Sequence, residues 1–142
     1  MPTLTLKISR PQNAVGVANA IAYSSLAQAL TRLTALHLRK RHEVTAVMIE
    51  ELPAGQWHVG GEPVASATAY LEISITQGTN TAAQKAEFIE AAFAELQQQL
   101  GNGALLAPAS YVIVRELAAT DWGYGGLTQE SRRQATARSP SE

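Results

Sequence analysis

Hydrophobic and polar positions alternate over two short segments of the chain, and a helical pattern follows each of them. The alternating segments are residues 4–8 and 70–75, and a period of two is typical of a β-strand with one buried face. After the second segment, Thr81 and Gln84 form a capping-box signature for a helix that ends at Gly101. The apolar positions expected on the buried face of this helix are Ile89, Phe93, Leu96 and Leu100.

The first helical pattern covers residues 14–38 and is less regular. Its apolar positions near one face are Ile21, Leu26, Leu30, Leu33 and Leu36. Nearly continuous apolar segments, residues 44–49 and 110–114, follow the two helices and suit parallel strands buried on both faces. Each half of the chain therefore predicts a β-α-β unit with a right-handed crossover.

A motif that occurs twice indicates that the chain is two copies of one unit. The segments ending at Gly61 and Gly126 both read x-E-L-x-A-x-x-W-x-x-G-G, and their tryptophans, Trp57 and Trp122, lie 65 residues apart. We place the units at residues 2–64 and 68–127, within a single domain of residues 1–127. The predicted fold is α/β (α+β), a four-stranded mixed sheet with two helices on one face. The other face also carries apolar residues, which predicts association with further copies.

The end of the chain has a different composition. Residues 128–142 contain no apolar side chain larger than alanine and no hydrophobic periodicity. Such a segment lacks the apolar surface that would offset the entropy of ordering it. We expect a flexible tail.

Composition narrows the classes of partner and location. The 142 residues carry a net charge of -1, and the one basic run, residues 39–42, falls where cations complement a helix dipole. Neither nucleic acid nor a membrane surface is favoured as a partner. There is no cysteine, and the three histidines lack ligand spacing, so we expect no metal site. With no signal sequence and no apolar run near the ~20 residues of a membrane helix, a cytoplasmic protein is expected.

Residue 2 is a proline directly after the initiator methionine and at the start of a predicted strand. Methionine is commonly trimmed before a small residue, and its removal would leave Pro2 as a secondary amine at the end of a strand. An α-amino group has a pKa of about 7.7–8.0, which burial lowers, so such an amine can transfer protons near neutral pH. The alternative is that Pro2 only begins the strand, where its missing N–H does no harm.

Taken together, Pro2, the doubled β-α-β unit and the Gly-Gly hairpin after the second strand resemble the tautomerase superfamily. This family includes oxalocrotonate tautomerase, macrophage migration inhibitory factor and the chloroacrylate dehalogenases. The resemblance extends from Pro2 to about Gly126. Residues 75–85 are similar to the family's strand, glycine and helix start, and the motif around Trp122 resembles its phenylalanine-containing hairpin.

The resemblance implies a homotrimer in which Pro2 is the general base and acid of a cofactor-independent tautomerase. The reaction it implies is enol–keto interconversion of a small carbonyl compound or 2-keto acid. In the second copy, Ala69 stands where a proline would be, and it is internal to the chain. Each chain can therefore carry one catalytic amine.

The chain departs from the family at the arginines that hold carboxylate substrates. The family's positions after the first strand of a unit correspond to Thr76 and Thr79, and those on the second strand to Ala46 and Tyr111. This departure weakens the case for dicarboxylate substrates and for dehalogenation.

Other residues could replace the missing arginines. The candidates for substrate binding are Tyr111, Arg115, Trp57, Trp122 and Arg10, with Asp121 as a possible acid. Tyr111 and Arg115 share one face of a strand, and either tryptophan could form the hydrophobic wall that the family places against the proline. Each of these residues could instead lie at the surface or in a subunit contact.

Two other functions remain open from the sequence. One is water addition by a hydratase or a dehalogenase-type lyase, for which Asp121 is the only candidate to activate water. The other is a trimer that binds a partner and catalyses nothing.

Overall fold

The computed structural model describes residues 1–10 and 22–138. Two β-α-β units are present, and each is followed by a short hairpin. The elements are β1 (Thr3–Ser9), α1 (Tyr23–Leu38), β2 (Ala46–Glu51), β3 (His58–Val59), β4 (Glu62–Pro63), β5 (Thr68–Thr76), α2 (Ala82–Leu100), β6 (Tyr111–Leu117), β7 (Gly123–Tyr124), β8 (Leu127–Thr128) and α3 (Gln129–Arg138). No helix in the described parts of the chain is long and apolar enough to cross a membrane.

The main sheet has four strands in the order β2-β1-β5-β6. Strands β1 and β2 are parallel, β5 and β6 are parallel, and the two units meet through antiparallel pairing of β1 with β5. Helices α1 and α2 pack against each other and against the sheet. The predicted mixed sheet with two helices on one face is confirmed.

The core lies between the sheet and the two helices. Alternation along the central strands directs their apolar side chains toward the helices, because successive residues of a strand point to opposite faces. The fully buried core side chains include Leu4, Leu6, Ile8, Leu71, Ile73, Ile75, Leu26, Leu30, Phe88 and Leu96. Edge strands β2 and β6 add half-buried valines and isoleucine to the rim of this core.

The buried face of α2 differs from the predicted one. Phe88 is 0% exposed and begins a buried row that continues through Ala92, whereas Ile89 is 38% exposed. The predicted face counts only large side chains, so it misses Ala92, which continues the buried i, i+4 row from Phe88 to Leu96. In α1, Leu36 is 62% exposed, because the small residues Ala29 and Thr34 occupy the buried face. Ile21 lies outside the described residues.

The sheet face opposite the helices is more polar than the sequence suggests. At its centre lie Thr5, Lys7 and Glu72, while its exposed large apolar side chains, Met48 and Tyr111, come from the two edge strands. Strands β2 and β6 are therefore partly exposed on this face in a single chain, not buried on both faces as expected. We refer to it as the open face.

The two hairpins have the same turn geometry. Gly60 and Gly61 have φ of 62° and 81°, and Gly125 and Gly126 have φ of 62° and 82°. Two successive left-handed residues form the type I′ turn that matches the twist of a hairpin, and glycine adopts that conformation without steric cost. The repeat found in the sequence is thus a structural repeat.

The segment expected to be a flexible tail contains a helix, α3, over Gln129–Arg138. The Oγ1 of Thr128 accepts the Ser131 N–H at 3.0 Å, and Glu130 pairs with Arg133 at 2.6 Å. Capping and an i, i+3 ion pair stabilise a helix without any apolar face, so hydrophobic periodicity could not detect α3.

Replacing Phe88 by alanine should reduce the free energy of unfolding by about 3–5 kcal/mol, because the ring is fully buried. The matched variant Ile89→Ala should cost only about 1 kcal/mol or less, since Ile89 is 38% exposed. Urea denaturation at fixed protein concentration measures both. Equal losses would contradict this assignment of the buried face.

Replacing Arg39 by glycine should stabilise the fold by about 0.5–1 kcal/mol. Arg39 ends α1 with φ of 58°, and this left-handed conformation is unfavourable for any residue that has a Cβ. Arg41→Gly is the control, because Arg41 has an extended backbone with φ of -72° and gains nothing from glycine. Thermal unfolding of the two variants tests this. An equal or lower midpoint for Arg39→Gly than for the parent chain would contradict it.

Candidate active site

Pro2 is buried at the start of β1. Its carbonyl oxygen accepts the N–H of Ala46 at 3.0 Å, which extends the pairing of β1 with β2 by one residue. By alternation with Leu4, it lies on the helix-covered side of the sheet. Met1 precedes it here and carries the amino-terminal amine.

The topology brings several elements to the end of the sheet that contains Pro2. Because β5 is antiparallel to β1, this end consists of the first residues of β1 and β2 and the last residues of β5 and β6. The end of α1, the start of α2 and the hairpin β7–β8 therefore lie here. We call it the Pro2 end, and we call the opposite edge, where β1 and β2 finish, the far end.

Lys40 supplies a cation at the Pro2 end. The left-handed Arg39 ends α1, and the next residue directs its half-buried side chain to the loop after β5, where Lys40 Nζ donates to Thr79 Oγ1 at 2.8 Å. The Thr79 hydroxyl in turn donates to the Thr76 carbonyl at 2.6 Å. Burial lowers the pKa of Lys40, and the nearby Glu116 acts in the opposite direction. An ammonium thus lies at the loop position where the family arginine is missing.

Arg132 supplies a second cation from α3. Its Nη2 donates to the Tyr124 carbonyl at 2.8 Å, and its guanidinium lies 3.8 Å from the centroid of the Tyr124 ring. The Nε atom of Arg132 is buried and has no partner among the described residues. A cavity of about 230 Å³ adjoins it, and Thr76, Thr79 and Tyr124 also line this cavity.

The amino-terminal amine lies in a positive environment. Burial lowers its pKa below the ordinary 8.0, and the charges of Lys40, Arg41 and Arg132 lower it further. Like charges disfavour the protonated amine, so a larger share of it is neutral near pH 7. Chemically, this end of the sheet combines a basic amine with cations that can hold an anion.

Among the residues singled out from sequence, Trp122 and Asp121 lie at the Pro2 end. Trp122 is half-buried, and its indole Nε1 is buried without a partner in the described part of the chain. Asp121 is exposed and accepts a hydrogen bond from Thr120 at 2.8 Å.

The remaining candidates do not meet Pro2 within one chain. Arg115 and Tyr111 project from the open face, and Arg115 pairs with Glu72 at 3.1 Å. Arg10 follows β1 at the far end, where it pairs with Glu51 at 2.7 Å. Trp57 lines a groove of about 650 Å³ on the open face near the far end.

Sequence reasoning missed Lys40 and Arg132 as site residues. Lys40 was attributed to the helix dipole, and Arg132 fell in the segment expected to be a flexible tail. The repeat gives no counterpart for Lys40, because the segments between helix and strand differ in length: residues 39–45 in the first unit and 101–110 in the second.

No family model and no curated protein matches the sequence, whereas solved structures do. The chain is 27% identical to the F6 fused 4-OT, an asymmetric trimer, with a TM-score of 0.72 over 90% of this chain and 98% of that one. Pt0534, solved after inactivation by 2-oxo-3-pentynoate, is 17% identical, with a TM-score of 0.71 over 92% and 98%. N1, of the cis-3-chloroacrylic acid dehalogenase family, is 20% identical, with a TM-score of 0.69 over 95% and 90%.

The neighbours share the doubled β-α-β architecture of this chain, and the fused 4-OT shares its double length. With Pro2 at the start of β1 and a Gly-Gly hairpin after each unit, the protein is a member of the tautomerase superfamily in its double-length form.

Proposed function

We propose that Pro2, once Met1 is removed, transfers the proton in enol–keto interconversion of a small 2-oxo acid. One observation carries this proposal: Pro2 is buried at the start of β1, and burial together with the charges of Lys40, Arg41 and Arg132 lowers the pKa of the Met1 amine one residue before it. A general base works best when its pKa is near the operating pH.

In the proposed reaction, the neutral amine of Pro2 accepts the proton of the enol hydroxyl. The resulting enolate carries its negative charge near Lys40, which stabilises it more than it stabilises the neutral enol. The protonated amine then returns the proton to the carbon of the double bond, which yields the ketone. One proton moves from oxygen to carbon and no electrons are exchanged, so the step needs no cofactor.

Two observations favour a 2-oxo acid over an uncharged carbonyl compound. Lys40 donates to a neutral hydroxyl and forms no ion pair among the described residues, so a substrate carboxylate can take a charge-assisted hydrogen bond from it. Pt0534, which shares the fold, is inactivated by 2-oxo-3-pentynoate.

We also propose that the working form is a homotrimer. Fused 4-OT structures with this fold are trimers, and the open face leaves Met48 and Tyr111 exposed in one chain. Burial of this face against neighbouring copies would cover those side chains. It would also give Tyr111, Arg115, Trp57 and Arg10 a route to a pocket of another subunit.

Asp121 remains the candidate for the water-adding alternative. Its hairpin lies at the Pro2 end, but its exposed carboxylate is engaged by Thr120, so we prefer tautomerisation. The non-catalytic alternative predicts that no reaction depends on Pro2.

Pro2→Ala should lower kcat/KM for ketonisation of phenylenolpyruvate by about 100-fold or more, because general acid–base catalysis contributes about 10²–10⁴. Mass spectrometry must first show that Met1 is absent from both proteins. Pro63→Ala, at an exposed proline in the far-end hairpin, is the matched control and should retain the parent rate. Equal rates for the parent protein and Pro2→Ala would contradict the proposal and favour the non-catalytic trimer.

Lys40→Met should move the acidic limb of the kcat/KM profile to higher pH. The amine acts as a base only when it is neutral, so activity rises through its pKa. Lys40 lowers the pKa of the Met1 amine one residue away, and we expect it to act in the same direction on the Pro2 amine, so its removal should raise that pKa. Arg32→Met is the control, since Arg32 pairs with Glu95 on the helix layer. Profiles of the three proteins in a constant-ionic-strength buffer test this. An unmoved limb in Lys40→Met would contradict the placement of Lys40 beside Pro2.

A further inference from the structure

Two parts of the chain that are distant in sequence are joined by two side chains at the Pro2 end. Lys40 Nζ donates to Thr79 Oγ1 at 2.8 Å, and Asn80 Nδ2 donates to the carbonyl of Leu38 at 3.0 Å. The partners are 39 and 42 residues apart. One side chain comes from the segment that follows α1 and the other from the loop before α2, so each segment holds the other.

The carbonyl of Leu38 needs a partner from outside its helix. Leu38 is the last residue of α1, and the last four carbonyls of a helix have no partner within it. The next residue, Arg39, has a left-handed backbone that turns the chain out of the helix. The half-buried Asn80 donates to this carbonyl and therefore fixes the point at which the chain leaves α1 for Lys40.

Asn80 also binds to the capping box that begins α2. Its Nδ2 donates to Gln84 Oε1 at 3.0 Å, and that oxygen accepts the N–H of Thr81 at 3.0 Å. Thr81 Oγ1 in turn accepts the Gln84 N–H at 3.1 Å, so the box is anchored in α2 itself. A primary amide has two hydrogens to donate, and Asn80 uses one for each helix. A single side chain therefore connects the end of α1 to the start of α2.

The segment after α1 carries charge that acts on the amino terminus. The charges of Lys40 and Arg41 lower the pKa of the Met1 amine. Arg132 on α3 acts in the same direction, while the carboxylate of Glu116 on β6 favours the charged form of Lys40. The interaction between two charges falls with their distance. The effect of Lys40 on the amine therefore depends on where the end of α1 lies.

We infer that Asn80 is a positioning residue, which holds the end of α1 against the start of α2 and thereby keeps Lys40 close to the amino-terminal amine. It acts through the backbone of Leu38 and carries no charge of its own. Any effect on ketonisation rests on the proposed function, whereas the effect on the amine does not.

Asn80→Ala removes both hydrogen bonds and leaves every charge of the protein in place. Lys40 is then held less firmly beside the amine, so we expect the pKa of the amine to rise, by less than in Lys40→Met. NMR titration of the amino-terminal residue measures this, after mass spectrometry has identified that residue. In Lys40→Met, adding Asn80→Ala should move the pKa by less than about half as much as it does alone, because the two changes act through one group.

Gln84→Ala is the matched control. It removes the other acceptor of Asn80 and half of the capping box, but it leaves the hydrogen bond to Leu38. Loss of a capping contact should lower the midpoint of thermal unfolding without moving the pKa of the amine. A pKa shift in Gln84→Ala as large as that in Asn80→Ala would assign the effect to a loosened α2 and overturn the inference. An unmoved pKa in folded Asn80→Ala would overturn it too.

Hydrogen exchange in the parent protein tests the same contacts without any substitution. Both side-chain amide hydrogens of Asn80 have an acceptor. They should exchange more slowly than those of the exposed Asn102, whose side chain has no hydrogen-bond partner among the described residues. Equal exchange by the two side chains would overturn the inference even if Asn80→Ala did not fold.

Ketonisation of phenylenolpyruvate separates this inference from the proposed function. Where the parent protein is active, the acidic limb of its kcat/KM profile should move to higher pH in Asn80→Ala, as in Lys40→Met. If ketonisation is absent while the amine responds to Asn80→Ala as described, the proposed function fails and the positioning role stands. If ketonisation depends on Pro2 but the amine titrates alike in the parent protein and in Asn80→Ala, the proposed function stands and the positioning role fails.

Discussion

The antiparallel pairing of β1 with β5 is the interaction on which the rest of the structure depends. It joins the two units through the register that sets Thr3 opposite Ser74, and it buries the apolar faces of both strands under α1 and α2. The same pairing carries the loop after β5 and the hairpin after β6 to the start of β1. The charge of Arg132, which does not belong to the first unit, therefore acts on the amine at that end.

The two copies of the unit have diverged where chemistry would occur. At the position that corresponds to Pro2, the second copy has Ala69, whose backbone N–H donates to Ser110 Oγ at 3.1 Å. An internal amide is not basic, so this nitrogen only stabilises the strand. Lys40 lies in the segment between helix and strand, whose length also differs between the copies: residues 39–45 in the first and 101–110 in the second. The first copy thus supplies the amine and the ammonium, while the second copy and the helix that follows it supply the cavity and the guanidinium.

Sequence reasoning succeeded for features that depend on local steric and hydrophobic rules. The alternation of residues 4–8 and 70–75, the capping box at Thr81 and the paired glycines of each hairpin all correspond to elements of the structure. It failed where small or polar residues form the buried face of a helix or stabilise the helix. Ala92 completes the buried row of α2, and Glu130 with Arg133 stabilises a helix that has no apolar face.

By itself, the sequence determined the two-copy organisation, the strand and hairpin pattern and the proline at residue 2, because these follow from periodicity, backbone conformation and position in the chain. Only the tertiary structure decided which charged side chains surround that proline. Lys40 and Arg132 lie about 90 residues apart in the chain, and each takes its place from a partner that is distant in sequence or in another element. The residues next to them in the sequence do not indicate this position. The electrostatic potential at a site depends on charges that are close in space, whether or not they are close in the chain.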